Sequence, residues 1–571
     1  MQKAKNRGTA FIARPSFNLS QILLWLLVFF FFVMPMVRLF LMSLKGESGW
    51  TLAHYQDIFS QPQTYQILKN TLILVLGAGF LALALGILFA WLVAYTDIRG
   101  KKMIQLLIFL PFVIPSYILA LAWIQFIGNQ GLVKNLLDLI GIKWGGLNLY
   151  SMMGMILVMA VTTFPLVFMF TLNNFRQIPR EAELAARVSG ASQWQTFKRV
   201  TIPMGLPGIV GGGFIAFLAC LDNFGIPSFL GTPANISVLT THIYQNVIGF
   251  GTSSFNKASV LSVVLAMVAL LGNLGQWFLL RKTKRLETHL LDLQPRIVLG
   301  KARPWVEGLI GLFFSLVTIL PLLALVVKPF VKAIGLPFIP QNFSLKNYLY
   351  VLNSPSTREA ITVSVKLSLV TALVGIFLGV AFAYVRVRKN NHSQRLMESA
   401  ITLPYALPGT VFALAMIFTW MKPIPGLDWN PGIYGSIWVL YIAYITRFMI
   451  LQVRSGVTAF QQVDVSVEEA ARVSGTNQWG KWAKVLIPLI LPTILNGTVL
   501  VFLSALTELT VSSLLYASDS QTIGVRILSM QHSGYSLYAT AFSALIVVLI
   551  ILTYFIIEVV NKLWQRKVVT K

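Results

Sequence analysis

Glu183-Leu184-Ala185-Ala186-Arg187-Val188-Ser189-Gly190 and Glu468-Glu469-Ala470-Ala471-Arg472-Val473-Ser474-Gly475 are one stretch written twice, 285 residues apart. Each copy runs on through a Gln-Trp pair, Gln193-Trp194 and Gln478-Trp479. Each then reaches Ile-Pro and a further proline: Ile202-Pro203 and Pro207, then Ile487-Pro488 and Pro492. Both copies are basic and mostly polar. The chain around them is 56% hydrophobic and 11% charged, with a mean hydropathy of +0.73. Such a composition belongs to a polytopic membrane protein. A polar loop duplicated within it predicts two equivalent docking points for a soluble partner.

Outward from the loops, apolar runs of about 20 residues predict twelve membrane-spanning helices. They fall near 20–42, 70–95, 104–127, 150–172, 204–222, 257–280, 305–327, 362–385, 399–421, 434–451, 489–509 and 538–561. Gly211-Gly212-Gly213 interrupts the fifth, and Thr507-Glu508 the eleventh. The net charge of +26 invites a nucleic-acid partner. Its distribution argues against one. With an even number of spans and the N-terminus inside, about seven in ten of the 45 Lys and Arg fall on cytoplasmic segments, as the positive-inside rule requires. Both termini are therefore expected in the cytoplasm. Lys3, Lys5, Arg7 and Arg14 precede an apolar run from Leu19 to Leu44. That run is too long for a signal peptide and lacks a small-residue cleavage site, so an uncleaved first span is expected.

The duplication extends beyond the loop. Trp50-Thr51-Leu52, Tyr55 and Pro62 recur as Phe343-Ser344-Leu345, Tyr348 and Pro355. Ala94-Tyr95 recurs as Ala383-Tyr384, and Pro111/Pro115 as Pro404/Pro408. The expected fold is all-α, with two tandem six-helix repeats in parallel orientation. The first half is 1–285 with its loop at 176–203. A cytoplasmic linker follows at 286–304, and then a second half at 305–571 with its loop at 461–488. The paired prolines predict kinks in spans three and nine. Kinks there are expected either to open a cavity between the halves or to serve packing alone.

Within the loop, Pro179–Ser189 is rich in Ala, Glu and Arg, which predicts a helix. Gly190 then permits a left-handed turn, and a second short helix begins at Gln193. Such an elbow is expected to present Ala185 and Ala186, or Ala470 and Ala471, at its surface.

These loops resemble the EAA motif of the binding-protein-dependent ABC importer permeases, whose pattern is Glu-Ala-Ala, three residues, Gly, nine residues and Ile-x-Leu-Pro. Glu469-Ala470-Ala471 and Gly475 match it, and Ile487-Pro488 closes one residue short. In the first copy Leu184 holds the Glu position and Glu183 lies just before it. The resemblance spans nearly the whole chain, as two permease domains fused in tandem. It implies that Glu183, Ala185, Ala186, Gly190, Glu469, Ala470, Ala471 and Gly475 belong to coupling helices. These would dock on a cytoplasmic ABC ATPase dimer, with an extracytoplasmic substrate-binding protein on the other side. It implies a multi-pass protein of the bacterial inner membrane. The ferric-iron-type fused permeases are the most similar subgroup; thiamine, aminoethylphosphonate and polyamine importers stay open.

Gly475 to Gly480-Lys481 has the spacing of a P-loop, but Trp482 stands where Ser or Thr would hold magnesium. No cofactor is expected in this chain, and ATP and magnesium are expected on the partner. The lone Cys220 offers no disulfide, and the five His show no metal-ligand spacing. Asp222 and Glu508 end the fifth and eleventh spans at nearly equivalent places. Carboxylates there are expected either to line the outer end of a pathway or to sit paired at the membrane interface. A twelve-span secondary transporter driven by an ion gradient is the rival class. It has no need of two matching elbows.

Overall fold

The computed structural model describes residues 19–46, 49–249, 252–281, 292–389, 391–421, 423 and 430–569. The basic N-terminal residues and the early part of the linker lie outside them. The chain is 80% helical, with no strand among the described residues. Among the described residues ten helices are long and apolar enough to cross a bilayer, and two sharply bent pairs bring the number to twelve when each is counted as one span. They follow the expected order, from Ile22–Ser43 and Pro62–Tyr95 through to Ser536–Thr553.

Spans five and eleven start earlier than their hydropathy suggests, at Gln193 and Gln478. The second helix of each elbow runs straight into the span instead of stopping at the proline. What bridges the join is a π-turn, Phe197–Thr201 or Lys481–Leu486, ending two residues before Pro203 or Pro488. The same arrangement precedes Pro35 and Pro321, after π-turns Phe29–Val33 and Ser315–Ile319. A proline ring clashes with the carbonyl four residues back, and each of those carbonyls lies inside its π-turn. Widening the turn relieves the clash without breaking the helix.

Spans three and nine do break. Lys101–Val113 and Ser116–Asp138 meet at 105°, as do His392–Ala406 and Gly409–Met421. The break falls at Ile114-Pro115 and at Leu407-Pro408. Both breaks are far sharper than a kink. At the second break the side chain of Arg447, buried, takes the space.

The two halves interlock. Met34–Ser43 of span one packs on Gly409–Met421 of the other half, and Leu320–Val327 of span seven packs on Ser116–Ile127. Trp25 Nε1 donates to Ser393 Oγ at 3.1 Å, and Arg38 to the Thr419 carbonyl at 2.8 Å. Phe89 of span two meets Phe313 and Phe314 of span seven, each at 5.0 Å between ring centres. Each half thus lends its first span to the other, so the sequence halves are not separate packing units. One continuous apolar core draws on both, with Tyr117, Phe229, Phe412 and Tyr444 fully buried within it. The triple glycine of span five serves packing: a Cβ on Gly212 would lie 2.9 Å from Val167 Cα of span four. Small residues allow that approach.

Candidate functional site

Both elbows form as the sequence leads one to expect, and they are near copies. The first helix is Arg180–Val188 in one and Val465–Val473 in the other. Gly190 and Gly475 follow at φ +90° and +76°. Their amides donate to Arg187 and Arg472 carbonyls at 3.0 Å, and the next amides reach back to Ala186 and Ala471. Ser192 and Asn477 then cap the second helix by accepting from Gln195 and Gly480 backbone amides. Such caps satisfy amides a helix leaves free at its start.

Each elbow is pinned by one buried glutamate, and the two occupy the same place: Glu183 and Glu468. Glu183 accepts from the hydroxyls of Tyr95 (2.8 Å) and Thr201, and from Arg296 Nη1 at 2.8 Å. Glu468 accepts from Arg388 Nε at 2.6 Å, Lys481 Nζ at 2.9 Å and the Tyr384 hydroxyl at 3.1 Å. Tyr95 and Tyr384 are the repeated pair seen in the sequence. Burial alone would raise the Glu468 carboxyl; hydrogen bonds from Lys481 and Arg388 outweigh it and hold the group below its ordinary value.

The register question left by the first copy is therefore settled structurally. Glu469 is exposed and corresponds to Leu184; the inward acid is the residue before it. The expectation that both alanines face outward is also corrected. Ala185 and Ala470 are exposed, but Ala186 is half-buried and Ala471 buried. They lie three residues beyond Glu183 and Glu468, on the same inward helical face. Among the residues the elbows expose, two apolar positions recur. Val188 and Val473 are each 89% accessible, and Trp194 and Trp479 are 69% and 85% accessible. Isolated exposed apolar residues are ordinary, but the same two at the same places on both elbows make a repeated exposed apolar face.

The cations differ in origin. Arg388 and Lys481 belong to the second half. Arg296 comes from the linker and is invisible to any comparison of the two repeats. Its backbone amide and that of Ile297 donate to the Tyr95 carbonyl, and its Nη2 reaches the Ile178 carbonyl at 2.6 Å. Asp292 supports it at 3.0 Å. Further along, Asp97 receives the Leu299 amide and pairs with Arg303. The described part of the linker is thus stitched to the first elbow.

A second constellation lies between the halves. Asp222 receives Arg447 Nη2 at 2.9 Å and the backbone amide of Gly409. Arg447 Nη1 also donates to the Pro404 and Leu407 carbonyls, which the proline break leaves free. One cross-half pair thereby caps both ends of the broken span. Arg447 sits near the middle of the 25-residue helix Ile437–Gln461, and Asp222 is the last residue of the helix Ile202–Asp222. Asp222 keeps 36% of its side chain accessible. Glu508 is not its counterpart. Glu508 accepts from the Val511 amide three residues on, as Asn223 accepts from Ile226. Asn223 and Glu508 are the equivalent positions, and the strict partner of Asp222 is Thr507.

Sequence comparison agrees with the duplicated elbows. The profile of the binding-protein-dependent transport system inner membrane component family matches residues 82–283 and again 375–566. The chain belongs to that family. The permease is 24% identical over 540 residues to the ferric transport system permease protein FbpB of Actinobacillus pleuropneumoniae, covering 92% of this chain and 75% of that protein. It is 29% identical over 224 residues to the molybdenum transport system permease protein ModB of Escherichia coli K12, covering 38% of this chain and 95% of that one. Among solved structures, a bacterial alginate ABC transporter bound to its periplasmic protein matches at 22% identity and a TM-score of 0.38, over 46% of this chain and 93% of that one.

Proposed function

We propose that this permease is the membrane-spanning subunit of an ATP-driven importer for ferric iron. The observation that carries the importer mechanism is the pair of elbows. Each is a rigid helix–glycine–helix unit pinned by a buried glutamate, and each presents the same exposed valine and tryptophan. Two equal faces suit two equal subunits of an ATPase dimer, which would hold ATP and magnesium itself. Closure of that dimer would move both elbows, and each elbow continues unbroken into span five or eleven. Those spans end beside Asp222 and Glu508, so motion at the elbows reaches the ion pair between the halves. The elbow face is then cytoplasmic, with both termini on that side, and an extracytoplasmic binding protein would deliver substrate opposite.

Iron is favoured by the similarity to ferric permeases along most of the chain. It also suits two carboxylates, Asp222 and Glu508, that share the Arg447 guanidinium as a charged neighbour. The test is uptake into proteoliposomes holding the permease, its ATPase and its binding protein. Radiolabelled ferric iron should enter only with ATP, and collapsing ion gradients should leave uptake intact. Uptake of molybdate or sulfate in place of iron would overturn the substrate. Uptake driven by an ion gradient without ATP would favour a secondary transporter.

A further inference from the structure

A cavity of about 650 Å³ opens beneath the first elbow, between it and the elbow-side end of span two. Its floor is apolar and comes from the span itself, through Ala84, Ile87 and Leu88. Leu88 is 48% exposed on the span's outer face. Aromatic rings form the wall: Phe197 lies 5.6 Å from Trp194 and 6.0 Å from Trp91. Arg180 and Arg187 stand among its lining residues, and neither forms an ion pair among the described residues. Arg296, also at the edge, is neutralised by Glu183 and Asp292.

We infer that this cavity binds one anionic phospholipid of the cytoplasmic leaflet, its phosphate on Arg180 and Arg187 and an acyl chain along span two. Three features select a lipid. The floor belongs to a span, so it lies where acyl chains lie. Indole rings favour the level of the headgroups. Basic pockets beside spans on the cytoplasmic side suit anionic headgroups. The second half shows that the elbow does not require such a space. There Val465 replaces Arg180. Trp482 replaces Phe197 and turns inward onto Tyr384 at 4.9 Å and Phe460 at 6.1 Å. Lys481, where the first half has Thr196, is spent on Glu468. In the second elbow Trp482 and Lys481 turn inward; the first leaves room for a ligand beside Glu183 and Arg296. A lipid here would stiffen the first elbow as Trp482 and Lys481 stiffen the second.

The leaflet rests on the proposed orientation, but the test needs neither orientation nor uptake, so its failure leaves the importer reading standing. The intact permease is purified and its retained lipid measured by native mass spectrometry, with phosphatidylglycerol and phosphatidylcholine supplied equally. Photoactivatable phosphatidylglycerol then locates the site. One phosphatidylglycerol should stay per chain and label peptides within 84–91 or 180–197. Arg180→Gln with Arg187→Gln should weaken retention about thirtyfold, from two cations lost near a membrane surface. Ala84→Trp, which fills the floor and keeps both charges, should also abolish it. Equal retention of phosphatidylcholine, or unchanged retention in both variants, overturns the inference. So does displacement of the lipid by added ATPase, which would assign the cavity to the docking face.

Discussion

Removing Arg296 should loosen the first elbow far more than removing Arg388 loosens the second. Arg296→Ala leaves Glu183 buried with only two hydroxyl donors. In the native pair the side chains are 8% and 10% accessible, so water screens little of the charge. Breaking a buried pair by deleting one partner costs about 3–5 kcal/mol. The hydroxyls of Tyr95 and Thr201 remain and offset roughly 1 kcal/mol of that. A net loss of about 2–4 kcal/mol corresponds to about thirty- to thousandfold more frequent opening. Amide hydrogen exchange across 180–190 reads that opening directly. Arg388→Ala leaves Lys481 on Glu468, so exchange across 465–475 should rise by tenfold or less. Glu183→Gln combined with Arg296→Met should restore much of the protection, since no charge is then stranded. Unchanged exchange across 180–190 in Arg296→Ala, or an equal response of the two elbows to their respective deletions, would refute the reasoning.

Three further outcomes follow from the same geometry. The Glu468 carboxyl lies below its ordinary value of 4.5, so its pairing contributes fully above that pH and is lost as pH falls through the lower folded value. Exchange across 465–475, corrected for intrinsic rates, should stay flat from about pH 7 to pH 5; loss within that range would contradict the pairing. Gly475→Pro, at φ +76°, cannot form the left-handed turn and should prevent ATPase assembly or uncouple it from uptake while insertion proceeds. Gly190→Pro should act alike, and co-purification of the ATPase with wild-type uptake in both variants would remove the coupling role. Asp222→Asn should lower the thermal stability of the purified permease by roughly 1–3 kcal/mol and reduce uptake, because Arg447 loses its charged partner. Arg447→Met added to it should not recover stability, because the Pro404 and Leu407 carbonyls then lose their donor; a single variant as stable and active as wild type would make the pair dispensable.

Much of this structure was legible because it is local or repeated. Span order follows from hydropathy, and the left-handed turns follow from Gly190 and Gly475. The register of the buried glutamate was hinted at by Leu184 beside Glu183, once the motif was not forced onto Glu469. Other features lay beyond the sequence because they join distant residues without periodicity. Arg296 reaches Glu183 across the linker, and a repeat comparison cannot find a residue that belongs to neither repeat. Arg447 and Asp222 meet only when the halves interlock, and hydropathy does not say which half a first span packs against. The prolines marked where spans three and nine bend. The angle of 105° is the same at both breaks, and at the second one Arg447 and Asp222 satisfy backbone groups that no hydropathy pattern pairs with them.

In the proposed mechanism both elbows dock a soluble ATPase through the same exposed side chains. Cys220 is the chain's one cysteine and is buried, so an introduced thiol is read without background. Val188→Cys and Val473→Cys should each cross-link one ATPase subunit in the assembled complex. The double variant should capture two. An assembled, ATP-hydrolysing complex in which neither position cross-links, or in which both capture no more than one subunit, would contradict the account.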